Sequence, residues 1–152
     1  MQIDTMVNGV RFEGEVAANM LLIDFLRDQL SLKGTKQSCE VQVCGSCTVL
    51  VDGRTVSSCM FLACELDGCA VETIEGAKQS DFYERTEAAL VRHAAVQCGF
   101  CTPGFVMTFK SIVEDGGGAD EAELRRKLSG NLCRCTGYRS ILDAAADIVG
   151  GS

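Results

Sequence analysis

The sequence predicts an α+β fold, with a mixed sheet in the N-terminal half and four helices in the C-terminal half. Alternating apolar and polar residues, interrupted by one Asn-Gly and one Asp-Gly hairpin signal, are typical of strands and mark the first half. In the second half the apolar residues recur at helical spacing, and no further strand is indicated. We therefore expect two domains, over residues 1–76 and 77–152.

The first half begins with a predicted hairpin. Alternation predicts strands over residues 3–7 and 10–16, joined by a turn at the Asn-Gly pair. Helical spacing then predicts an amphipathic helix over residues 20–30, with Asn19 as its N-cap. This helix should pack on the hairpin.

Three more strands complete the predicted sheet. Residues 47–51 read as a buried strand, and the Asp-Gly turn leads back into residues 54–59. Residues 69–74 form the last predicted strand. A mixed sheet crossed by one helix is a β-grasp-like arrangement.

The second half should contain only helices. Helical spacing predicts helices over residues 81–95 and 103–115, and Thr102 and Pro103 supply an N-cap and an N1 proline for the second of them. A glycine-rich connection at residues 115–118 follows.

Two further helices are predicted after this connection. Asp120 and Glu123 have the spacing of a capping box, and Gly130 is placed to end that helix as its C′ residue. The last helix covers residues 138–149. The four helices can pack as two pairs, with cysteines at their junction.

Composition narrows the classes of function. The chain has 152 residues, 47% hydrophobic and 23% charged, as in globular proteins, and no apolar run approaches the length of about 18 residues that a membrane span needs. A formal net charge of -7 argues against nucleic acid as a partner. No secretory signal is visible, so we expect a cytoplasmic protein with protein partners.

Ten cysteines indicate metal binding, because disulfides are rare in a reducing compartment. In the first half Cys39, Cys44 and Cys47 form a C-x4-C-x2-C motif, which is the plant-type 2Fe-2S pattern, and Cys59 supplies a distant fourth thiol. Zinc is the competing metal, although its structural sites more often use short C-x2-4-C knuckles. Gly45 lets the loop backbone approach a cluster closely.

The second half offers another set of four thiols. Cys98 and Cys101 form a C-x2-C pair, and Cys133 and Cys135 form a C-x-C pair, all at predicted helix ends. Spacing alone leaves a zinc site, a redox dithiol and an iron-sulfur cluster open.

Three stretches of the chain resemble the iron-sulfur subunit of the molybdenum hydroxylases, the xanthine oxidase family. They are CEVQVCGSCTVLVDG with Cys59, QCGFCTPGFVM at residues 97–107, and GNLCRCTGYRSI at residues 130–141. The resemblance covers nearly the whole chain, with the motifs in the family's order.

This resemblance implies a ferredoxin-like N-terminal domain with one 2Fe-2S cluster and a four-helix C-terminal domain with a second. By position in the motifs, the ligands of the first cluster are Cys39, Cys44, Cys47 and Cys59, and those of the second are Cys98, Cys101, Cys133 and Cys135. The resemblance also implies that Gln97 and Cys135 contact a pterin cofactor.

The family further implies a role as the electron-transfer subunit of a bacterial molybdenum hydroxylase. Electrons would pass from a molybdenum-pterin cofactor, commonly a cytosine dinucleotide form, through the helical-domain cluster and the ferredoxin-like cluster to FAD. The pterin would lie on a large subunit and the FAD on a medium subunit, in a heterotrimer or a dimer of heterotrimers. The complex would hydroxylate an N-heterocycle, an aldehyde or another small substrate, with the catalytic site on another chain.

Two residues depart from the family motif. Gln42 stands where the family usually has glycine, and Ser46 stands where it usually has alanine. If position 42 requires a positive φ, Gln42 adds strain of about 1 kcal/mol or more.

Three other reactive side chains have simpler explanations. Cys64 and Cys69 belong to neither motif and are expected to fill space as small apolar residues. His93, the single histidine, is expected to be a surface or packing residue rather than a ligand.

Two alternatives to the main interpretation are a free-standing two-cluster electron carrier and a zinc-stabilised interaction module.

Overall fold

The N-terminal half forms a five-stranded sheet in the order β2-β1-β5-β3-β4. The computed structural model describes residues 1–116 and 120–150. The strands are β1 (Gln2–Val7), β2 (Val10–Glu15), β3 (Thr48–Val51), β4 (Arg54–Ser57) and β5 (Ala70–Glu72). Strands β1 and β5 are parallel and the other neighbouring pairs are antiparallel, so the predicted mixed sheet is confirmed.

The helix that crosses the sheet begins later than the predicted residues 20–30. It consists of α1 (Leu22–Asp24) followed by a π-helical turn (Phe25–Gln29). Asn19 does not cap this helix. The first two N–H groups of the helix donate instead to the backbone carbonyls of Phe61 and Ser58, at 2.7 and 3.1 Å. Tertiary contacts therefore replace the side-chain cap that the sequence indicated.

A short helix at the predicted boundary and four longer helices occupy the described part of the chain after the sheet, and the predicted α+β class is confirmed. They are α2 (Ile74–Ala77), α3 (Asp81–Arg92), α4 (Thr102–Glu114), α5 (Glu121–Lys127) and α6 (Arg139–Gly150). Since α2 begins at Ile74, the last predicted strand is shorter than expected. Within the described residues, no helix has the length and apolar character to cross a membrane.

The ends of α3 and α4 differ slightly from prediction. Helix α3 ends at Arg92, three residues before the predicted end at residue 95. The helix cannot continue through Ala94, which adopts a left-handed φ of 49°. Cys101 rather than Thr102 is the N-cap of α4, while Pro103 stays in the first turn, where it displaces no helical hydrogen bond.

Asp120 caps α5 as predicted, since its carboxylate accepts the N–H of Glu123 at 2.8 Å. Gly130 is not the C′ residue of this helix. Helix α5 passes into a 3-10 turn (Leu128–Gly130), in which Gly130 has no positive φ. Residues 117–119, which include the second half of the predicted glycine-rich connection, lie outside the described residues.

The two halves meet along β3 and α4. Leu50 of β3 belongs to the same buried cluster as Phe105 and Phe109 of α4, whereas Val49 packs into the core of the sheet. Lys110 of α4 also forms an ion pair with Glu72 of β5 at 3.0 Å. The boundary between domains at residue 76 stays a prediction.

Candidate metal centres

The β3–β4 hairpin brings together two of the predicted ligands of the first site. Thr48 pairs with Ser57, so Cys47, just before β3, and Cys59, just after β4, lie at the same end of the hairpin. Cys47 and Cys59 are only 2% and 1% exposed, and both pack against Ile23. These two thiols form the buried side of the first site.

The loop before β3 directs backbone N–H groups at the sulfur of Cys39. Val43 and Cys44 donate to its Sγ at 3.4 and 3.3 Å. Backbone donation from Val41, followed by Cys44 and Val43, lowers the pKa of Cys39 to about 6. A loop that stabilises a thiolate in this way is suited to binding a metal.

Left-handed backbone makes this wrapping possible. Glu40 and Gln42 each have a φ of 58°, and Gly45 has a φ of 66°. The N–H of Gln42 in turn donates to Cys59 and so favours its thiolate. Position 42 therefore does require positive φ, and Gln42 adopts it at a cost of about 1–2 kcal/mol relative to the right-handed region.

The four predicted thiols of the first site come together as two interacting pairs. Cys39 interacts with Cys44, and Cys59 interacts with Cys47. Burial, followed by the proximity of Cys47 and Cys39, raises the pKa of Cys59 to about 11. Within the first site, Cys39 therefore ionises more readily than Cys59.

The second site lies between helix ends. Cys98 and Cys101 precede α4, and Cys133 and Cys135 lie between the 3-10 turn and α6. The Sγ atoms of Cys135 and Cys98 are 3.6 Å apart, and Cys101 interacts with Cys133. The four predicted thiols of the second site therefore also lie together in pairs.

Hydroxyl and backbone donors distinguish the thiols of the second site. Burial, with a contribution from Cys133, raises the pKa of Cys101 to about 12. Burial also acts against ionisation of Cys133, but donors outweigh it and lower the pKa of Cys133. They include the hydroxyl of Thr136 at 3.2 Å and its N–H at 3.5 Å. Sequence reasoning missed Thr136, although it lies within the GNLCRCTGYRSI motif.

The paired thiols have a geometry that fits a 2Fe-2S cluster. A tetrahedral metal with metal–sulfur bonds of about 2.3 Å separates its sulfurs by about 3.7 Å, close to the 3.6 Å between Cys98 and Cys135. Two pairs at each site match a binuclear cluster, in which each iron binds two cysteines.

One hydrogen bond connects the two sites directly. The N–H of Leu132, next to Cys133, donates to the carbonyl oxygen of Cys44 at 2.8 Å. A cavity of about 340 Å³ between the sites is lined by Cys44 from the first site and by Cys98, Cys101 and Cys133 from the second. The two groups of thiols are therefore neighbours joined through the backbone.

Comparison with known proteins identifies the family. The family described as 2Fe-2S iron-sulfur cluster binding domain matches residues 5–68, and the 2Fe-2S binding domain family matches residues 73–146. Nicotine 6-hydroxylase small subunit of Paenarthrobacter nicotinovorans is 43% identical, over 99% of this chain and 90% of the relative. The chain belongs to the iron-sulfur subunits of the molybdenum hydroxylase family.

Other relatives of this iron-sulfur subunit support the same family. Caffeine dehydrogenase subunit gamma of Pseudomonas sp. (strain CBB1) is 40% identical, over 96% of this chain and 89% of the relative. A chain of the crystal structure of quinoline 2-oxidoreductase from Pseudomonas putida 86 superposes with a TM-score of 0.91 at 42% identity, covering 99% of this chain and 94% of that one. The chain is thus a subunit of an oxidoreductase and has an electron-transfer role.

Exposed apolar residues surround both cysteine sites of the iron-sulfur subunit. Large apolar side chains more than a third exposed lie within three positions of a predicted ligand at Val41, Val43, Met60, Val96, Phe100, Leu132 and Tyr138. Cys98 and Cys135 are themselves exposed, as is Gln97. Exposed apolar residues concentrated around a functional site are typical of an interaction surface.

The remaining reactive side chains of the iron-sulfur subunit lie elsewhere. Cys64 and Cys69 are half-buried and pack against the core of the sheet, as a filling role requires. His93 is half-buried, and its Nε2 lies 3.2 Å from Asp147 of α6, which fits a packing histidine. Neither site of four thiols includes them.

Proposed function

We propose that the chain relays electrons from a molybdenum-pterin cofactor through two 2Fe-2S clusters to FAD. The observation that carries this proposal is the hydrogen bond between Cys44 of one cysteine site and Leu132 beside the other. Two clusters held beside each other on one chain can pass single electrons across it. A free-standing carrier has less support, because relatives are described as subunits of multi-subunit complexes.

The thiols divide between the proposed clusters according to the pairs that the structure forms. The first cluster would be bound by Cys39 with Cys44 and Cys47 with Cys59, and the second by Cys98 with Cys135 and Cys101 with Cys133. A bound 2Fe-2S cluster accepts and releases one electron at a time. The chain donates hydrogen bonds to the sulfurs, which helps set the reduction potential of each cluster. It also keeps the buried pair, Cys47 with Cys59, away from water.

We assign the second site to the pterin side of the complex. Its exposed Cys98 and Cys135 leave one edge open to a partner, and Gln97 is exposed beside them. Gln97 and Cys135 would contact the pterin, proposed as a cytosine dinucleotide form, on a large subunit. The loop that contains Val41 and Val43 would then face FAD on a medium subunit.

The names of the relatives point to the substrate class. Nicotine, caffeine and quinoline, named for three of them, are N-heterocycles, and other relatives are named aldehyde oxidoreductases. We propose oxidative hydroxylation of an N-heterocycle, an aldehyde or another small substrate at a molybdenum site on another chain. The complex would be a cytoplasmic heterotrimer or dimer of heterotrimers, and this chain would divide at residue 76 into its two domains.

Metal analysis and rapid kinetics on the purified complex test the proposal. We expect about four irons and four labile sulfides per chain, and two distinct paramagnetic signals after reduction. Mixing with substrate should reduce the clusters before the flavin. Zinc in place of iron would contradict the cluster assignment, and iron that substrate cannot reduce would favour the free-standing carrier.

A further inference from the structure

Asn131 is a buried polar residue between the two cysteine sites. It is 5% exposed and lies two positions before Cys133. Its Nδ2 donates to the carbonyl oxygen of Gly45 at 3.0 Å and lies 3.5 Å from Oγ1 of Thr48. Its Oδ1 accepts the hydroxyl of Thr108 at 2.9 Å. One amide therefore joins the first cysteine loop, β3 and α4.

The chemistry of its partners sets the orientation of this amide. A backbone carbonyl can only accept, so the NH2 group must face Gly45 and the amide oxygen must face Thr108. Both ends of the side chain are thereby engaged, and burial leaves no water to replace either bond. The amide is a fixed connector.

The amide acts beside the backbone bond that links the two sites. Leu132 donates its N–H to the carbonyl of Cys44 at 2.8 Å, while Asn131 donates to the carbonyl of Gly45. Consecutive carbonyls of one loop are thus held by consecutive residues of the other. One hydrogen bond allows the loops to pivot about it, whereas two restrict both distance and angle.

Close packing excludes any other group from this contact. A Cβ on Gly45 would lie 2.2 Å from the carbonyl oxygen of Gly130 and 2.6 Å from Nδ2 of Asn131. A Cβ on Gly104 of α4 would lie 2.2 Å from the carbonyl oxygen of Gly45. The Gly45 peptide is therefore enclosed by α4 on one side and by Gly130 and Asn131 on the other.

We propose that Asn131 is a positioning residue for electron transfer between the two clusters. By holding the Gly45 carbonyl, it keeps the bond between Cys44 and Leu132 at a fixed length and angle. The transfer moves one electron from the second site to the first, so the donor site is oxidised, the acceptor site is reduced, and no bond forms or breaks. This inference rests on the proposed function.

The Asn131→Ala variant of the full chain, purified with its clusters, tests the inference. Asn131 is not a proposed ligand, so we expect about four irons per chain and both paramagnetic signals to remain. The magnetic splitting between the two reduced clusters should be lost or reduced. Electron transfer between the sites should slow by about tenfold or more, because small displacements of reacting centres carry large rate costs.

Three further variants separate positioning from general damage. Ser58→Ala is the matched control: its hydroxyl is fully buried and donates to the carbonyl of Cys47 at 2.7 Å, but this bond does not join the two halves, so the splitting should persist. Asn131→Asp keeps the shape of the side chain but turns an oxygen toward the Gly45 carbonyl. The magnetic splitting should therefore fall further in this variant than in Asn131→Ala. Thr108→Val keeps the bond to Gly45 and should have a smaller effect than either substitution of Asn131.

Two results would overturn the inference. Asn131→Ala could keep both the splitting and the transfer rate of the wild type, or it could lose iron from one site alone, which would assign Asn131 to cluster assembly. Failure of the proposed function is recognised in the wild-type chain itself, by zinc or by missing signals. A failure confined to the variant comparison contradicts only the role of Asn131.

Discussion

The two cysteine sites favour thiolates by different means. The first uses a loop with left-handed residues, including Gln42, to point backbone N–H groups at sulfur, and it buries Cys47 and Cys59 in the sheet half. The second directs the hydroxyl and N–H of Thr136 at Cys133, and it leaves Cys98 exposed. The first site buries one pair of thiols and exposes the loop around the other, whereas the second leaves Cys98 and Cys135 of one pair exposed.

The largest expected effect removes one site and leaves the other. Cys59→Ser removes a proposed ligand of the first site. The iron content should therefore fall from about four to about two per chain, with the signal of the second cluster retained. Iron analysis and low-temperature electron paramagnetic resonance measure this. Cys64→Ser is the control and should keep all the iron. Loss of both signals from the Cys59 variant would show that the sites are not independent.

Gly45→Ala should damage both sites, because Gly45 lies at their contact. The new Cβ would meet the Gly130 carbonyl oxygen at 2.2 Å in a backbone with φ of 66°. We expect a loss of at least about 2 kcal/mol in the free energy of unfolding. Denaturant unfolding measures it, and Gly130→Ala, where no atom lies within 4 Å of the added Cβ, is the matched control. Equal stability of the two variants would argue against the close contact.

Charge placed on the exposed loop of the first site should weaken docking without touching the cluster. The residues Val41 and Val43 are 62% and 57% exposed. Replacing both with lysine should weaken binding of the FAD-containing subunit by about tenfold, or about 1.4 kcal/mol. Titration calorimetry measures the affinity. Val10→Lys is the control, since Val10 is 70% exposed on the edge strand β2, and a similar loss there would indicate a nonspecific charge effect.

The smallest expected effect concerns the strained position in the first loop. Gln42→Gly removes a left-handed cost of about 1–2 kcal/mol but adds unfolded-state entropy worth about 0.4–1 kcal/mol. A net gain of about 0.5–1 kcal/mol should therefore appear as a small rise in thermal midpoint. Glu40→Gly, which has the same φ of 58°, should behave alike. Destabilisation by both changes would mean that the side chains contribute more than the backbone strain.

Sequence patterns predicted the sheet and the helices, because each depends on residues close together in the chain, whereas the second set of thiols rested on the resemblance to the family. They failed at the start of α1, where carbonyls of residues 58–61 replace the expected Asn19 cap. They also left position 42 conditional, since only the folded loop shows that φ is positive there. The signals for Thr136 and Asn131 were present in the third motif, but their partners were not visible.

The sequence by itself determined which thiols this protein offers to a metal: three at the spacing of a 2Fe-2S loop with Cys59 as a fourth, and four more between predicted helices. The tertiary structure alone decided which thiols pair, which are buried, and how the two sites connect. The physical reason is distance along the chain. Asn131 and Gly45 are 86 positions apart, and a contact of that separation forms only when the sheet and helices pack together.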